Sequence, residues 1–283
     1  MEDFEQTFEA VRYAVDGAVA TITLNRPDVA NAQNSRMIDE LDAAFDRADA
    51  DDGVRVVILA AAGKHFSSGH DLKALVAGDD ADPWVARRET PEGKFEHERT
   101  MYFERCLRIH DFRKPTIAAV QGSCVAAGLM LAAMCDLIVA ADDAFFADPV
   151  VRMGIPGVEY FAHPWVLGPR FAKEVLFTGE RFGALRAYQL GMVNRVVPRA
   201  ELAEATFALA DVIATMPPFG LALAKRAVNQ CEDLMGMRPG MDSVFGLHHL
   251  AHAHNAEVSG DSLAGLDARG MKDSAAKNSG ANG

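Results

Sequence analysis

Two rhythms of apolar positions run along the first two-thirds of the chain. Val19–Leu24 is a short β-branched run closed by Asn25-Arg26-Pro27, which predicts a strand stopped by proline. Beyond Ser35 the apolar positions are Met37, Ile38, Leu41, Ala44, Phe45 and Ala48. That is a 3.6-residue period, and it predicts a helix with Ser35 as its cap. Residues 54–60 are nearly all apolar, as in a strand buried on both faces. The spacing then predicts a helix over 101–112, a strand over 116–121, a helix over 126–134 and a buried strand over Leu137–Ala141. Strand and helix in alternation imply βαβ crossovers and a mainly parallel sheet, so the class is α/β.

Past residue 198 the strands cease. Residues 201–215, 219–234 and roughly 241–258 predict helices, separated by Pro217-Pro218 and Arg238-Pro239-Gly240. The expected organisation is a core over 1–200, a helical C-terminal region over 201–273 and a small, polar, disordered tail over 274–283. The acidic, proline-containing stretch 77–93 predicts a surface excursion.

Composition narrows the function classes. Hydrophobic residues at 49% and charged residues at 24% fit a soluble globular protein of 283 residues. A net charge of −12 argues against non-specific binding to nucleic acid or anionic membrane, though a polyanionic small ligand needs only a locally positive pocket. Cys106, Cys124, Cys135 and Cys231 form no CxxC pair and are expected as buried thiols in a reducing compartment. The first ten residues carry Glu2, Asp3, Glu5 and Glu9 without a basic residue, unlike a signal peptide or mitochondrial presequence. No apolar run approaches the ~18 residues of a membrane span. The expected location is cytoplasmic.

Two glycine-containing turns follow buried strands and precede helices. One is Lys64-His65-Phe66-Ser67-Ser68-Gly69-His70-Asp71-Leu72; the other runs from Val120-Gln121-Gly122 to Ala126-Ala127-Gly128-Leu129 and on to Cys135-Asp136. Such turns leave backbone N–H groups free at a helix start, where the macrodipole favours negative charge. Two of them facing each other can hold a carbonyl oxygen as an oxyanion hole; ordinary structural turns of an α/β protein are the competing reading. Neither GxGxxG nor a Walker motif is present.

Several segments, in order, resemble the crotonase (enoyl-CoA hydratase/isomerase) superfamily. Phe66-Ser67-Ser68-Gly69-His70-Asp71-Leu72 is similar to its F-[AS]-[AS]-G-x-D-[LI] segment, and 121–137 to its N-G-x-x-x-G-G-G-x-x-L-x-x-x-C-D pattern. Asn25-Arg26-Pro27 with Asn31-Ala32 resembles the family's opening, and Leu176-Phe177-Thr178-Gly179 its later L-x-T-G motif. The match spans roughly residues 11–260. The resemblance implies a ββα spiral core, a C-terminal helical subdomain used for a homotrimer or dimer of trimers, and an acyl-CoA substrate. It implies no cofactor beyond the coenzyme A of that substrate, no metal, and a lyase (hydro-lyase) or isomerase of fatty acid metabolism. It also implies that the backbone N–H groups of His70 and Ala127 form the oxyanion hole, with Val29, Ser68, Asp71 and Leu72 near the CoA and acyl chain.

The match fails where hydratases of this family carry two glutamates. Met130 and Val150 stand at those positions, lining the substrate site without a proton to transfer. Ala126-Ala127-Gly128 replaces the triple glycine, a change that preserves the N–H donors. The loop over 154–163 holds the first acid/base candidate, Glu159, because some branches of the family place a catalytic carboxylate there; pairing with Arg152 or Arg170, or a helix cap, is the competing role. Asp148 is the second candidate, with a turn role as its alternative. Asp71 is expected to cap a helix, Asp136 to be structural, and the His70 imidazole to line the pocket.

His248, His249, His252 and His254 raise a metal reading, since His248 and His252 lie at i,i+4. HExxH is absent, however, and no carboxylate stands at a fixed spacing, so a solvated or interfacial helix is expected. Three function classes follow. One is an enoyl-CoA enzyme, with isomerisation or C–C hydrolysis through Glu159 weighed against hydration. The others are a non-catalytic acyl-CoA binder and, against the acidic balance, an RNA-binding member.

Overall fold

The computed structural model describes residues 8–72 and 90–260. The expectations for 77–89 and 261–283 lie outside the described residues. Six strands form one sheet in the order β1 (Val11–Asp16), β2 (Val19–Leu24), β3 (Val56–Ala61), β4 (Thr116–Val120), β6 (Leu137–Ala141), β9 (Arg195–Val197). The β1–β2 pair is antiparallel and every later pair is parallel. A second sheet has the order β5 (Ser123–Val125), β7 (Phe145–Ala147), β8 (Phe182–Gly183). One strand for each sheet and then a helix is the repeating unit: β4, β5 and the helix Ala127–Ala133 make one ββα turn, and β6 and β7 begin the next.

The continuous apolar runs of the large sheet follow from burial on both faces. Successive strand side chains point to opposite sides. On one side Ala20, Ile22, Val57, Leu59 and Ala118 pack in the main core with Met37 and Phe45 of α1 (Ser35–Ala50). On the other, Val19, Val56, Ile58, Ile117, Ala119 and Val139 pack with Leu202 and Ala210 of a C-terminal helix. A sheet covered on both faces needs no polar alternation.

The helices α2 (Pro91–Glu98), α3 (Glu104–His110), α4 (Ala127–Ala133), α5 (His163–Leu167), α6 (Pro169–Thr178) and α7 (Ala184–Gln189) fill out the core. They are followed by α8 (Leu202–Ala214), α9 (Pro218–Leu234) and α10 (Met237–Ser259), with no strand between. No single described helix is long and apolar enough to cross a membrane.

Several expectations are corrected. The cap of α1 is Asn34, whose extended backbone lets its side chain accept from the Met37 N–H at 3.1 Å; Ser35 is the first helical residue. The helix expected over 101–112 begins as a π-helical turn, Arg99–Phe103, and continues into α3. Residues 90–93, expected in a surface excursion, include the Thr90 cap and first turn of α2. Arg238-Pro239-Gly240 does not separate helices but lies in the first turn of α10. A helix's first N–H groups have no internal acceptor, so a proline there costs no bond. Cys231 is exposed, whereas the other three cysteines are buried free thiols.

Candidate active site

The two glycine turns are locked together by the residues around them. Asn31 donates from its side-chain amide to the carbonyls of Ala62 and His65, both at 2.9 Å, and its oxygen accepts from the Arg26 N–H. Ser68 N–H donates to Ala30 O, and the Ser67 hydroxyl donates to Asn31 O at 2.9 Å. The Asn-Arg-Pro…Asn-Ala segment is therefore a clamp that shapes the 65–71 turn. Gly69, at φ +99°, brings that turn against the second one: a Cβ there would sit 3.1 Å from Val125 O and 3.4 Å from Ala127 N. Ala126 takes φ +50° and ψ −118°, which orients Ala127 as the first residue of α4. Among the described residues, the N–H groups of His70 and Ala127 donate to no backbone carbonyl.

A cavity of about 290 Å³ opens beside these turns. Its apolar wall includes Leu72, Val125, Pro149, Val150, Met153 and Ile155. Its polar wall includes Ser68, His70, Lys94, Glu98, Tyr102, Glu159, His248 and His252. Glu159 is carried by a loop that Asp148 anchors from below. Asp148 is fully buried, accepts from the Val158 N–H at 3.1 Å, and lies 3.0 Å from His163 Nε2.

The polar wall is a cluster of buried charge. Glu159 lies 3.5 Å from His70 Nε2 and 3.9 Å from His248 Nε2. One oxygen of Glu98 lies 3.3 Å from His248 Nε2, 3.3 Å from His249 Nε2 and 3.6 Å from His252 Nε2. The His70 ring stacks on Tyr102 at 4.0 Å between centroids. Burial alone would raise the Glu159 carboxyl, but the adjacent His70 and the more distant His248 outweigh it and hold Glu159 below its ordinary range. For Glu98 the same contest is won by His248 and His252, and its carboxyl is held well below normal. Burial opposes charging of His248, yet Glu98 and Glu159 push it up to about 9. His249 is pushed down to about 4, chiefly by burial.

The residues expected from the sequence do not all converge. His70, Ser68, Leu72, Val150 and Glu159 line the cavity. Ala127 is buried behind Val125 and Ala126, which line it. Met130 faces a smaller adjoining void with His70, Tyr102 and Leu131. Val29 is exposed on the short helical turn Pro27–Val29, outside the cavity. Asp71 pairs with Arg26 at 3.0 Å; the helix expected after it falls on residues outside the described set. Glu159 meets histidines rather than Arg152 or Arg170. Asp136 accepts from the Thr116 N–H and hydroxyl and pairs with Lys225, a structural role as expected.

The solvated face expected for the histidine-rich helix is corrected. His248 and His252 are 3% and 4% exposed, and it is His254 that faces out. Met237, Met241, Phe245, His248, His252 and Asn255 form one stripe at three- and four-residue spacing. That stripe was the signal available in the sequence. Glu98 carries no local signal; only the fold brings it to the histidines.

Comparison with known proteins agrees with this architecture. The family model for enoyl-CoA hydratase/isomerase matches residues 14–238. EchA13 of Mycobacterium tuberculosis, which carries an enoyl-CoA hydratase name, is 48% identical over 269 residues, covering 90% of this chain and 85% of that protein. The crystal structure of a probable enoyl-CoA hydratase from Mycobacterium smegmatis superposes with a TM-score of 0.84 at 50% identity, covering 89% of this chain and 98% of that one. A probable enoyl-CoA hydratase from Mycobacterium thermoresistibile gives 0.82 at 52% identity, over 88% and 99%. With the ββα repeat and the helical C-terminal region already in place, the chain belongs to the enoyl-CoA hydratase/isomerase family of the crotonase superfamily.

Proposed function

We propose that the protein acts on an enoyl-CoA thioester, with Glu159 as the proton-transferring group and the His70 and Ala127 N–H groups as the oxyanion hole. The observation that carries this reading is the position of Glu159: a buried carboxylate in the cavity, 3.5 Å from the side chain of His70. Two free N–H donors on touching turns supply what a thioester enolate needs, since charge that develops on the oxygen is met by dipoles already in place.

The order of events follows from one base. Polarisation of the thioester carbonyl acidifies the adjoining carbons, Glu159 takes a proton from the acyl chain, and the resulting dienolate is reprotonated at another carbon by the same carboxyl group. A single carboxylate completes this allylic shift without a second acid. Hydration asks for a water held and deprotonated at one carbon while another is protonated, and Met130 and Val150 offer nothing for that. Isomerisation is therefore the favoured reaction of Glu159, ahead of hydration; carbon–carbon hydrolysis uses the same base on a water. The two carboxylates on the cavity wall weigh against a purely acyl-CoA-binding role.

Self-association fits the surface of α9, where Phe219, Leu223, Val228 and Leu234 are all exposed. A homotrimer or dimer of trimers is part of the proposal.

The test is turnover of a 3-enoyl-CoA and of crotonyl-CoA, followed by enoyl-thioester absorbance and product chromatography. Formation of 2-enoyl-CoA that disappears in Glu159→Gln supports the reading. Measurable binding of both esters with no change in either would leave a binding protein.

A further inference from the structure

We propose that Glu98, His248 and His252 form a binding site for a divalent transition metal ion on the wall of the cavity. The three side chains come from two helices, and one ligand atom from each lies within 4.8 Å of the others. The separations are 3.0 Å between the two Nε2 atoms, and 3.3 Å and 3.6 Å from these to the Glu98 oxygen. Donors that each sit about 2.1 Å from a common ion subtend angles of roughly 90–120° at such spacings, the range between octahedral and tetrahedral coordination. Two imidazoles and a carboxylate suit zinc or iron(II), cobalt(II) and manganese(II) better than calcium or magnesium.

Two further observations point to an ion. The Gly157 carbonyl accepts from His248 Nδ1 at 2.9 Å, which fixes the ring's orientation and turns Nε2 into the cluster. A backbone carbonyl behind the ring is the usual second partner of a metal-bound histidine. The Glu98 oxygen at the centre of three ring nitrogens is buried and has no partner in hydrogen-bond geometry, on a residue 5% exposed. Three ring nitrogens surround that oxygen at 3.3–3.6 Å, and a cation among them would bind it at shorter range.

The site is held stiffly. His248 and His252 are one turn apart on α10, whose Asn255 donates to Met153 O at 2.9 Å and ties the helix to the cavity wall. Glu98 ends α2. All three ligands line the same cavity as Glu159, in which the proposed function places the substrate. If that assignment holds, the ion would receive a water or an oxygen function on the acyl group. The metal site itself does not depend on it.

The test is metal binding by the full-length, untagged protein. After purification without immobilised metal and dialysis against chelator, cobalt(II) is titrated in while its visible absorption is read, and metal content is measured by mass spectrometry. One cobalt(II) per chain is expected, displaced by zinc. Glu98→Gln, which preserves shape, and His252→Ala should weaken it by more than about 100-fold, beyond the 10–100-fold cost of losing an outer partner. His254→Ala, on the exposed face of the same helix, should bind as the parent does. Absence of cobalt(II) absorption in the parent, or equal uptake by parent and folded Glu98→Gln, would overturn the site and leave a network of protonated histidines. Because the readout uses no CoA ester, its failure is separate from failure of the thioester reading.

Discussion

His70 and Glu159, contributed by two distant loops, meet at 3.5 Å on the cavity wall, and the first of them also presents a free backbone N–H beside the second glycine turn. One residue thus touches both halves of the proposed chemistry. In the proposed reaction its backbone N–H would polarise the thioester, and its imidazole helps hold the neighbouring carboxyl below its ordinary range. The two contributions are separable. His70→Phe retains the N–H and much of the ring volume, and is expected to lower kcat by about 10–100-fold with little change in KM. Glu159→Gln should cost about 100–10,000-fold in kcat. Steady-state kinetics on a 3-enoyl-CoA checks both; a larger effect on KM than on kcat in either variant would place these groups in binding instead.

The alanines at 126 and 127 and the glycine at 128 are under different constraints. A Cβ on Gly128 would meet the Ser67 carbonyl oxygen at 2.6 Å and Ser67 Cβ at 2.9 Å, and that carbonyl already accepts from the Val125 N–H. Gly128→Ala should push the two turns apart, costing about 1–3 kcal/mol in denaturant unfolding and most of the activity. Ala126 carries the opposite load. Its positive φ is a glycine conformation, with strain of about 1–3 kcal/mol set against the roughly 0.4–1 kcal/mol that glycine adds to the freedom of the unfolded chain. Ala126→Gly should therefore raise stability by about 1 kcal/mol and leave the hole intact.

This difference shows what the sequence can and cannot convey. The stripe of Met37, Ile38, Leu41, Ala44, Phe45 and Ala48 is buried as its period predicts, because local periodicity and burial are one fact seen twice. Residues 19–24 and 137–141 are strands with the expected bounds for the same reason. Glu159 could be singled out by its loop, yet its partners could not, since His70 and His248 reach it only through tertiary packing. Of the Glu98–His248–His252 group only the two histidines at i,i+4 are legible: the carboxylate lies far upstream, and no spacing rule links it to the helix. Pro239 misled through a sound rule applied at the wrong depth, because proline breaks a helix only past its first turn.

The exposed apolar face of α9 gives a prediction about assembly. Phe219 is 75% exposed and Leu234 is 88% exposed, and α9 has no buried residue. Phe219→Asp combined with Leu234→Asp should lower the particle mass seen by light scattering and leave the far-ultraviolet circular dichroism of the chain unchanged. An unaltered mass would move the assembly surface elsewhere.

Acid sensitivity should reside partly where α10 meets α3. Arg238 donates to both oxygens of Asp111, at 2.8 and 3.0 Å, and to Asp233 at 3.1 Å. Burial would raise the Asp111 carboxyl, but Arg238 and His110 outweigh it and hold it below its ordinary value. A carboxyl with a lowered folded pKa stabilises fully above its unfolded value of about 3.9 and loses that contribution as pH falls through the folded one. The groups are half exposed, so screening limits the effect to under about 1 kcal/mol. Arg238→Met should lower stability at pH 7 by that amount and flatten the acid limb below pH ~4 in urea titrations.

The anchor beneath Glu159 yields the most demanding test. Asp148 is fully buried, lies 3.0 Å from His163, and accepts the Val158 N–H next to Glu159 in the chain. Asp148→Ala removes the acceptor and leaves the Val158 N–H unpaired inside the protein. An unsatisfied buried backbone donor costs about 1–3 kcal/mol. Asp148→Asn can still accept from Val158 and should lose less than half as much. If Asp148 positions the loop, kcat should follow stability across the two variants, with Asn retaining most of the rate. If Asp148 were itself the proton carrier, Asn would be as inactive as Ala despite its stability. Urea unfolding and kcat measured on the same preparations distinguish the two roles.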